Sequence, residues 1–279
     1  MVADEHGGGD SSSESIVGTI RAKASGIISG TWVVNRLVAL HFDECEVIWN
    51  VNEGDNVKIA DAVLTISGPA VQVLRCERIM LNLLGRMSGI ATNTASWVSQ
   101  AGSMGVACTR KTDWGLLDKW AVHIGGGLTH RLSRADALMI KENDLAALAP
   151  EIDNETDSVA AAVSKIDMDA DAEFTVIEVR DSNQAIAATK AWDSLQIERS
   201  GCEKIVLLLD NMGPKGCADV HEILMKENLR AWCILEGSGG VILEDLQQWI
   251  DSGVDLVSTS ALNRGISPLD LSMKVEGGK

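Results

Sequence analysis

Apolar and polar positions alternate over short runs from residue 17 to about 74. The runs are TIRAKASGIISG (19–30) and EVIWNVNEGDNVKIADAVLTISG (46–68). Period-two alternation between turn residues predicts short strands, and Glu53-Gly54-Asp55 between apolar runs is a hairpin signal. From Val71 to about Gln100 the period changes. Leu74, Ile79, Leu81, Leu84, Met87 and Ile90 recur at three- and four-residue steps, which predicts a long helix. Its small residues Gly85, Ser88, Gly89 and Ala91 suit close packing. Gly102 and Gly105 then break the chain and suggest a domain boundary.

Beyond Gly105, near-continuous apolar runs alternate with helical segments. The runs are 106–108, 137–140, 174–177, 204–209, 231–235 and 254–258. Between them lie LLDKWAVH, a long segment near 145–165, SNQAIAATKAW, GCADVHEILMKE and LEDLQQWID. Strand–helix alternation with apolar strands implies a parallel sheet covered on both faces. Six repeats, with a seventh element hidden in 115–130, favour an α/β barrel over a doubly wound sheet.

Composition then narrows the class. The chain has 279 residues and 46% hydrophobic content, which is ample for a globular core. Its longest unbroken aliphatic run, Ile205 to Leu209, is far short of the ~20 residues a membrane helix needs. The acidic, glycine- and serine-rich start has neither the basic nor the apolar region of a signal peptide, and residues 1–15 predict a loose lead-in. Six scattered cysteines without a C-x-x-C pair suggest reduced, mostly buried thiols in a cytoplasmic protein.

A net charge of −16 argues against nucleic-acid binding. Its distribution matters more. Residues 75–141 hold nine cations against four acids, a local +5, so the remainder carries −21. Residues 142–173 hold ten acids and the single cation Lys165.

A polar residue closes each apolar run at its C-terminal end, the rim on which β/α barrels build their active sites. The set is Thr109-Arg110-Lys111, Lys141, Glu178, Asp210-Asn211, Glu236 and Thr259-Ser260. Arg110, Lys111, Lys141 and, from the loop Gly125–Arg131, Arg131 would converge as cations. Such crowding suits a multiply charged anion. Glu178 and Asp210 suit Mg²⁺, which takes one or two carboxylates plus substrate oxygens and water. Gly237-Ser238-Gly239-Gly240, between a strand and a helix, can cradle a phosphate with backbone N–H groups. The residues point to a phosphorylated polyanion with a metal, beside a second anionic substrate.

Several segments together resemble the quinolinate phosphoribosyltransferases, also called nicotinate-nucleotide pyrophosphorylases. They are Glu77-Arg78 with LNLLGRMSGIAT (81–92), TRKT (109–112), GGGLTHRL (125–132), MIKEN (139–143), IEV (177–179), LLLDNM (207–212), EGSGG (236–240), GVD (253–255) and LDLS (269–272). The similarity runs from about Gly9 to Val275. It implies an N-terminal α/β sandwich, expected at 1–104 and joined by the tail 270–279, with an incomplete α/β barrel at 105–269. It implies transfer of phosphoribose from phosphoribosyl pyrophosphate to quinolinate with loss of CO₂ and pyrophosphate. The product is nicotinate mononucleotide, in NAD biosynthesis. It further implies a homodimer, or an oligomer of dimers, in which Arg78 enters the neighbouring subunit's site. Arg110, His130, Arg131 and Lys141 would grip the carboxylates of quinolinate, and Lys111 would lie between the substrates. Glu178 and Asp210 would hold Mg²⁺ and the ribose hydroxyls. Ser238, Gly239, Gly240 and the Ser260-Ala261-Leu262 turn would take the 5-phosphate.

The pattern departs at Cys108, where an aspartate is usual, at Asp113-Trp114, at Asp144 and at Ser260. Asp113 and Trp114 are expected close to the substrate pocket and bear on which acceptor is used. The alternatives are a phosphoribosyltransferase for nicotinate or another aromatic nitrogen acceptor, and a non-catalytic binder of phosphorylated metabolites.

Overall fold

The computed structural model describes residues 14–132, 136–148, 151–167 and 174–276. The lead-in at 1–15 falls almost wholly outside these, as does Arg134. The chain divides into two compact units, Met1–Asn93 with Gly265–Lys279, and Thr94–Arg264.

The first unit runs β1 (Ser15–Ala22), β2 (Gly26–Ile27), α1 (Thr31–His41), β3 (Glu46–Trp49), β4 (Asn56–Val57), β5 (Ala62–Pro69) and the start of α2 (Ala70–Ala101). A C-terminal strand, Leu271–Glu276, returns to it. That strand pairs antiparallel with β1, with Ile20 opposite Met273, and β1 pairs with β5, which pairs with β3. Buried Ile20, Leu64 and Ile66 from the sheet meet Val34 and Val38 of α1 and Met80 and Leu84 of α2 in one core. Along α2, Gly89 lets the returning chain approach, since a Cβ there would collide with the carbonyl oxygen of Ser267.

Two sequence expectations change here. The stretch 17–74 is not all strand, because Thr31–His41 is a helix that buries Val34 and Val38, one turn apart. The turn at Glu53-Gly54-Asp55 also does not join a hairpin. The strand before it, β3, pairs with β5, and the one after it, β4, pairs with β2. The turn instead supplies a cap. Glu53 accepts from Gly30 N (2.8 Å), Thr31 N (2.8 Å), Thr31 Oγ1 (2.6 Å) and Ser29 Oγ (3.0 Å). A carboxylate at a helix N-terminus satisfies free N–H groups and opposes the positive end of the dipole.

The second unit continues from α2 through β6 (Gly105–Cys108), α3 (Leu116–Ile124), β7 (Ala137–Ile140), α4 (Glu142–Leu148), α5 (Glu155–Val163) and β8 (Phe174–Val179). It then runs through α6 (Ser182–Arg199), β9 (Ile205–Asp210), α7 (Gly213–Lys226), β10 (Cys233–Ser238), α8 (Leu246–Asp251) and β11 (Leu256–Thr259). The six strands are parallel in the order β6-β11-β10-β9-β8-β7. The expected seventh element is one parallel bridge, Leu128 to Ala107, held by Leu128 N→Val106 O (2.8 Å) and Cys108 N→Leu128 O (2.9 Å). Among the described residues nothing pairs Leu128 with β7, so the sheet curls into an incomplete barrel. The helical segment near 145–165 is two helices, the second capped by Asn154, whose Oδ1 accepts from Thr156 N (2.8 Å).

The units divide inside α2 and at 264/265, ahead of the expected limits at 104/105 and 269/270. Glycines at 102 and 105 end the helix, but its last turns already pack with the second unit. Gly127 lies against Thr94, where a Cβ would come within 2.7 Å of the threonine methyl.

Replacing Glu53 by Ala should lower unfolding stability by about 1–2 kcal/mol, the range for losing a helix cap. Denaturant titration would show it as a shifted midpoint with unchanged slope; an unchanged midpoint contradicts the capping role.

Candidate active site

Strand residues alternate between two faces. In the second unit one face carries Met139, Phe174, Val176, Val206, Leu208 and Ile234, which pack together. The same parity continues to Glu178 on β8, Asp210 on β9, Glu236 and Ser238 on β10 and Ser258 on β11. Register confirms the layers, with Leu208 opposite Glu236, Asp210 opposite Ser238 and Ser238 opposite Ser258. The barrel interior is therefore apolar at the N-terminal ends of the strands and acidic at their C-terminal ends.

At those ends a pocket of about 220 Å³ is lined by Thr109, Arg110, Lys111, His130, Arg131, Met139, Lys141, Leu208, Asp210, Glu236, Ser238 and Ser258. Four cationic side chains from the β6 end, the 125–131 loop and the β7 end thus face the acidic strand ends. Lys141 Nζ contacts Glu178 Oε2, and Arg180 lies 3.8 Å from the other oxygen of Glu178. Glu178 itself lines an adjoining cleft of about 390 Å³ with Glu142, Asp153, Glu155 and Arg180.

The loop that carries His130 and Arg131 is held from below. Lys119 of α3 is buried, and its Nζ contacts the carbonyl oxygen of Thr129 and, at 3.8 Å, Cys108 Sγ. Burial lowers the Lys119 pKa and raises that of the Cys108 thiol, because each charged form loses water. Arg131 is also buried, and its Nη1 donates to Ala137 O (3.2 Å).

The two glycine- and serine-bearing turns lie beside each other. Gly239 and Gly240 follow β10 with φ +96° and +65°, left-handed conformations that glycine adopts without strain. At Gly239 a Cβ would strike Asn211 Oδ1. Thr259 ties this turn to the next: its Oγ1 donates to Val241 O (2.9 Å) and accepts from Ala261 N (3.1 Å).

Of the residues singled out in the sequence, the pocket gathers Arg110, Lys111, His130, Arg131, Lys141, Asp210 and Ser238. Glu178 adjoins through Lys141. Gly239, Gly240, Ser260 and Ala261 occupy the neighbouring turns and are not in its lining. Arg78 is exposed on α2 in the other unit. Asp113 and Trp114, expected near the pocket, do not line it. Asp113 Oδ1 lies 3.7 Å from Arg264 Nε. The backbone N–H groups of Asp113 and Trp114 donate to Asp118 Oδ2 (2.9 and 3.3 Å).

The residues that sequence reasoning missed are Asp118, Lys119 and Asn263. Glu236 and Thr259 stood in the strand-end set, and the structure adds what they bond to. Asp118 and Asn263 are fully buried polar side chains, and Asn263 Nδ2 donates to Lys111 O (3.1 Å) and approaches Asp118 Oδ2 (3.3 Å). Asn263 meets Lys111 and Asp118 from more than a hundred residues away, which no local pattern reports.

An incomplete parallel barrel with a cation-lined pocket and phosphate-type turns at its C-terminal rim defines a class of enzymes acting on phosphorylated polyanions. Comparison with known proteins narrows the class. The model of the quinolinate phosphoribosyl transferase N-terminal domain matches residues 10–88, and that of the C-terminal domain matches 90–274. A probable nicotinate-nucleotide pyrophosphorylase (carboxylating) of Methanothermobacter thermautotrophicus is 33% identical over 95% of this chain and 90% of its own length. A mitochondrial quinolinate phosphoribosyltransferase (decarboxylating) of Nicotiana tabacum is 33% identical over 91% of this chain and 72% of its own. Among solved structures, NadC from Streptococcus pyogenes superposes with a TM-score of 0.75 at 29% identity, covering 93% of this chain and 85% of that one. The chain belongs to the quinolinate phosphoribosyltransferase family.

Asp118→Ala should destabilise the protein by about 3 kcal/mol, since hydrogen bonds to a buried charge contribute about 1.5–3 kcal/mol. Urea unfolding measures it; a loss below about 0.5 kcal/mol would show that Asp118 does not hold the 111–114 turn.

Proposed function

We propose that this chain transfers phosphoribose from phosphoribosyl pyrophosphate to quinolinate and releases CO₂, giving nicotinate mononucleotide for NAD biosynthesis. The observation that carries this reading is the pocket itself. Arg110, Lys111, Arg131 and Lys141 face one small volume from three chain segments, with Asp210 and Ser238 opposite. Like charges so placed repel, and although Glu178 contacts Lys141, a multiply charged anion in the pocket would compensate the set as a whole. A dicarboxylate beside a pyrophosphate ester fits that demand.

Roles follow from position. Arg110, Arg131 and Lys141 hold the carboxylates of quinolinate, with the His130 ring beside them. Lys111 stands between acceptor and phosphoribosyl donor. The Ser238-Gly239-Gly240 turn and its neighbour at Ser260-Ala261 take the 5-phosphate, using backbone N–H groups that glycine leaves accessible. Pyrophosphate leaves C1 of the ribose with its bonding pair, and the pyridine nitrogen supplies the pair for the new bond. The cation that builds on the sugar is stabilised by Glu178 and Asp210. The ring, now a pyridinium, accepts the electrons left by departing CO₂. No protein nucleophile is needed, so the chain's main contribution is positioning.

Mg²⁺ fits the donor set. Among the described residues no group of three His, Cys, Asp or Glu could hold a metal by itself. No lysine or arginine among them pairs with Asp210, whose carboxylate accepts from Asn211 Nδ2 (2.7 Å). Asp210 with Glu178 would hold an ion that arrives with the donor, whose oxygens and water complete its coordination. When bound, the ion would neutralise charge on the departing pyrophosphate.

The site is completed, in this reading, by Arg78 of a second copy in a homodimer. Its exposure on α2 leaves it available to a partner. No helix among the described residues is long and apolar enough to cross a membrane. The free cysteines suit the reducing cytoplasm.

Lys141→Ala and Arg131→Ala should each cut kcat/KM for quinolinate by about 100-fold or more, through loss of a charge-assisted contact. The assay follows CO₂ and nicotinate mononucleotide with Mg²⁺ present and nicotinate run alongside. Near-normal rates in both variants would overturn the assignment. Arg78→Ala and Arg110→Ala, each inactive alone, should regain activity when mixed, because hybrid dimers contain one intact site. No recovery under demonstrated subunit exchange argues against a shared site.

A further inference from the structure

His130 is a non-glycine residue in the left-handed region, with φ +53°, next to buried Arg131. Such a conformation persists only where surrounding contacts over-determine it. Two contacts do so, and together they identify the state of the ring. The backbone N–H of Arg131 donates to His130 Nδ1 at 2.9 Å. An amide N–H can only donate, so Nδ1 carries no proton. The proton of the neutral ring is therefore on Nε2, which lies 3.0 and 3.1 Å from the two oxygens of Glu236. Glu236 is 1% exposed, on the interior face of β10, and the His130 side chain is 9% exposed.

We infer that Glu236 is a positioning residue that holds the Nε2–H of His130, so that His130 anchors Arg131 in the acceptor site instead of binding a substrate carboxylate. Both ring nitrogens are occupied within the protein, one by the chain that follows it and one by the opposite strand. The imidazole is then a strut. It runs from β10 to the backbone of Arg131 and holds the 125–131 loop at the distance that aims the guanidinium into the pocket. The other end of the loop is fixed independently by Lys119 at the Thr129 carbonyl. Acceptor selectivity depends on this strut because the loop supplies Arg131, whereas the Ser238–Gly240 and Ser260–Ala261 turns, proposed for the phosphoribosyl donor, have their own tie through Thr259.

The kinetic part of this inference rests on the proposed reaction; the tautomer does not. The test therefore has two arms on the full chain. Nitrogen-15 NMR of histidine-labelled protein without substrate should show one ring with a protonated Nε2 and an unprotonated Nδ1, absent in His130→Asn. In Glu236→Ala, where the Arg131 amide still keeps Nδ1 unprotonated, the Nε2–H should lose its acceptor and exchange with water about tenfold faster, while Glu236→Gln, which keeps an oxygen acceptor, should stay close to the wild-type rate. In the assay, Glu236→Ala should raise KM for quinolinate about tenfold and leave KM for phosphoribosyl pyrophosphate within about twofold; Glu236→Gln should stay within about threefold on both. A Nδ1–H tautomer in the wild type, or an Nε2–H exchange rate unaltered in Glu236→Ala, overturns the inference even if the reaction is as proposed. Equal rises in both KM values would assign Glu236 a general structural role and overturn it as well. Absence of turnover with quinolinate in the wild type would count against the proposed reaction, with the tautomer still decided by the spectrum.

Discussion

Crowded positive charge at the open end of the barrel is the constraint on which the rest of the second unit depends. Arg110, Lys111, Arg131 and Lys141 share one pocket, and like charges that face a common volume repel unless compensated. The compensation comes from the strands. Two-residue alternation on β8, β9 and β10 aims Glu178, Asp210 and Glu236 into the same interior as the apolar layer beneath them. A one-residue slip would turn these carboxylates outward and put Ile177, Leu207, Leu209 and Leu235 on the inner face. Because both faces of the strands are apolar, it is the strand-end charges that distinguish the correct register at the rim.

The compensation is uneven. Lys141 has a carboxylate in contact, and His130 has one opposite its Nε2, while Asp210 keeps its charge for something other than a lysine or arginine among the described residues. Lys119, behind β6, meets a thiol and a carbonyl, and burial lowers its pKa accordingly. This arrangement reconciles a chain of net charge −16 with anionic substrates, since short-range charges dominate within a pocket while salt screens the acidic exterior beyond about 10 Å.

Much of this was legible in the residues. The six apolar runs after Gly105 are the six parallel strands, and the polar residues that close them form the rim. The long helix read from Val71 to Gln100 is Ala70–Ala101. The first unit was less legible. The segment Thr31–His41 carries three valines and a tryptophan that suit a strand as well as a helix, and its start is capped by Glu53 from a remote turn. The Glu53-Gly54-Asp55 turn looks like a hairpin because a local pattern shows that the chain reverses, not which strands then meet.

The amino-acid sequence by itself determined the class of fold, the family and the cationic and acidic residues at the strand ends. Those follow from periodicity and from residue types at strand ends, which are local properties. Only the tertiary structure decided how the members are held. Asn263 reaching Lys111 and Asp118, Thr259 joining two turns and Glu236 facing His130 connect residues that the chain keeps apart. A hydrogen bond depends on direction and on distances of about 3 Å. Neither quantity exists until strands from across the chain have packed side by side.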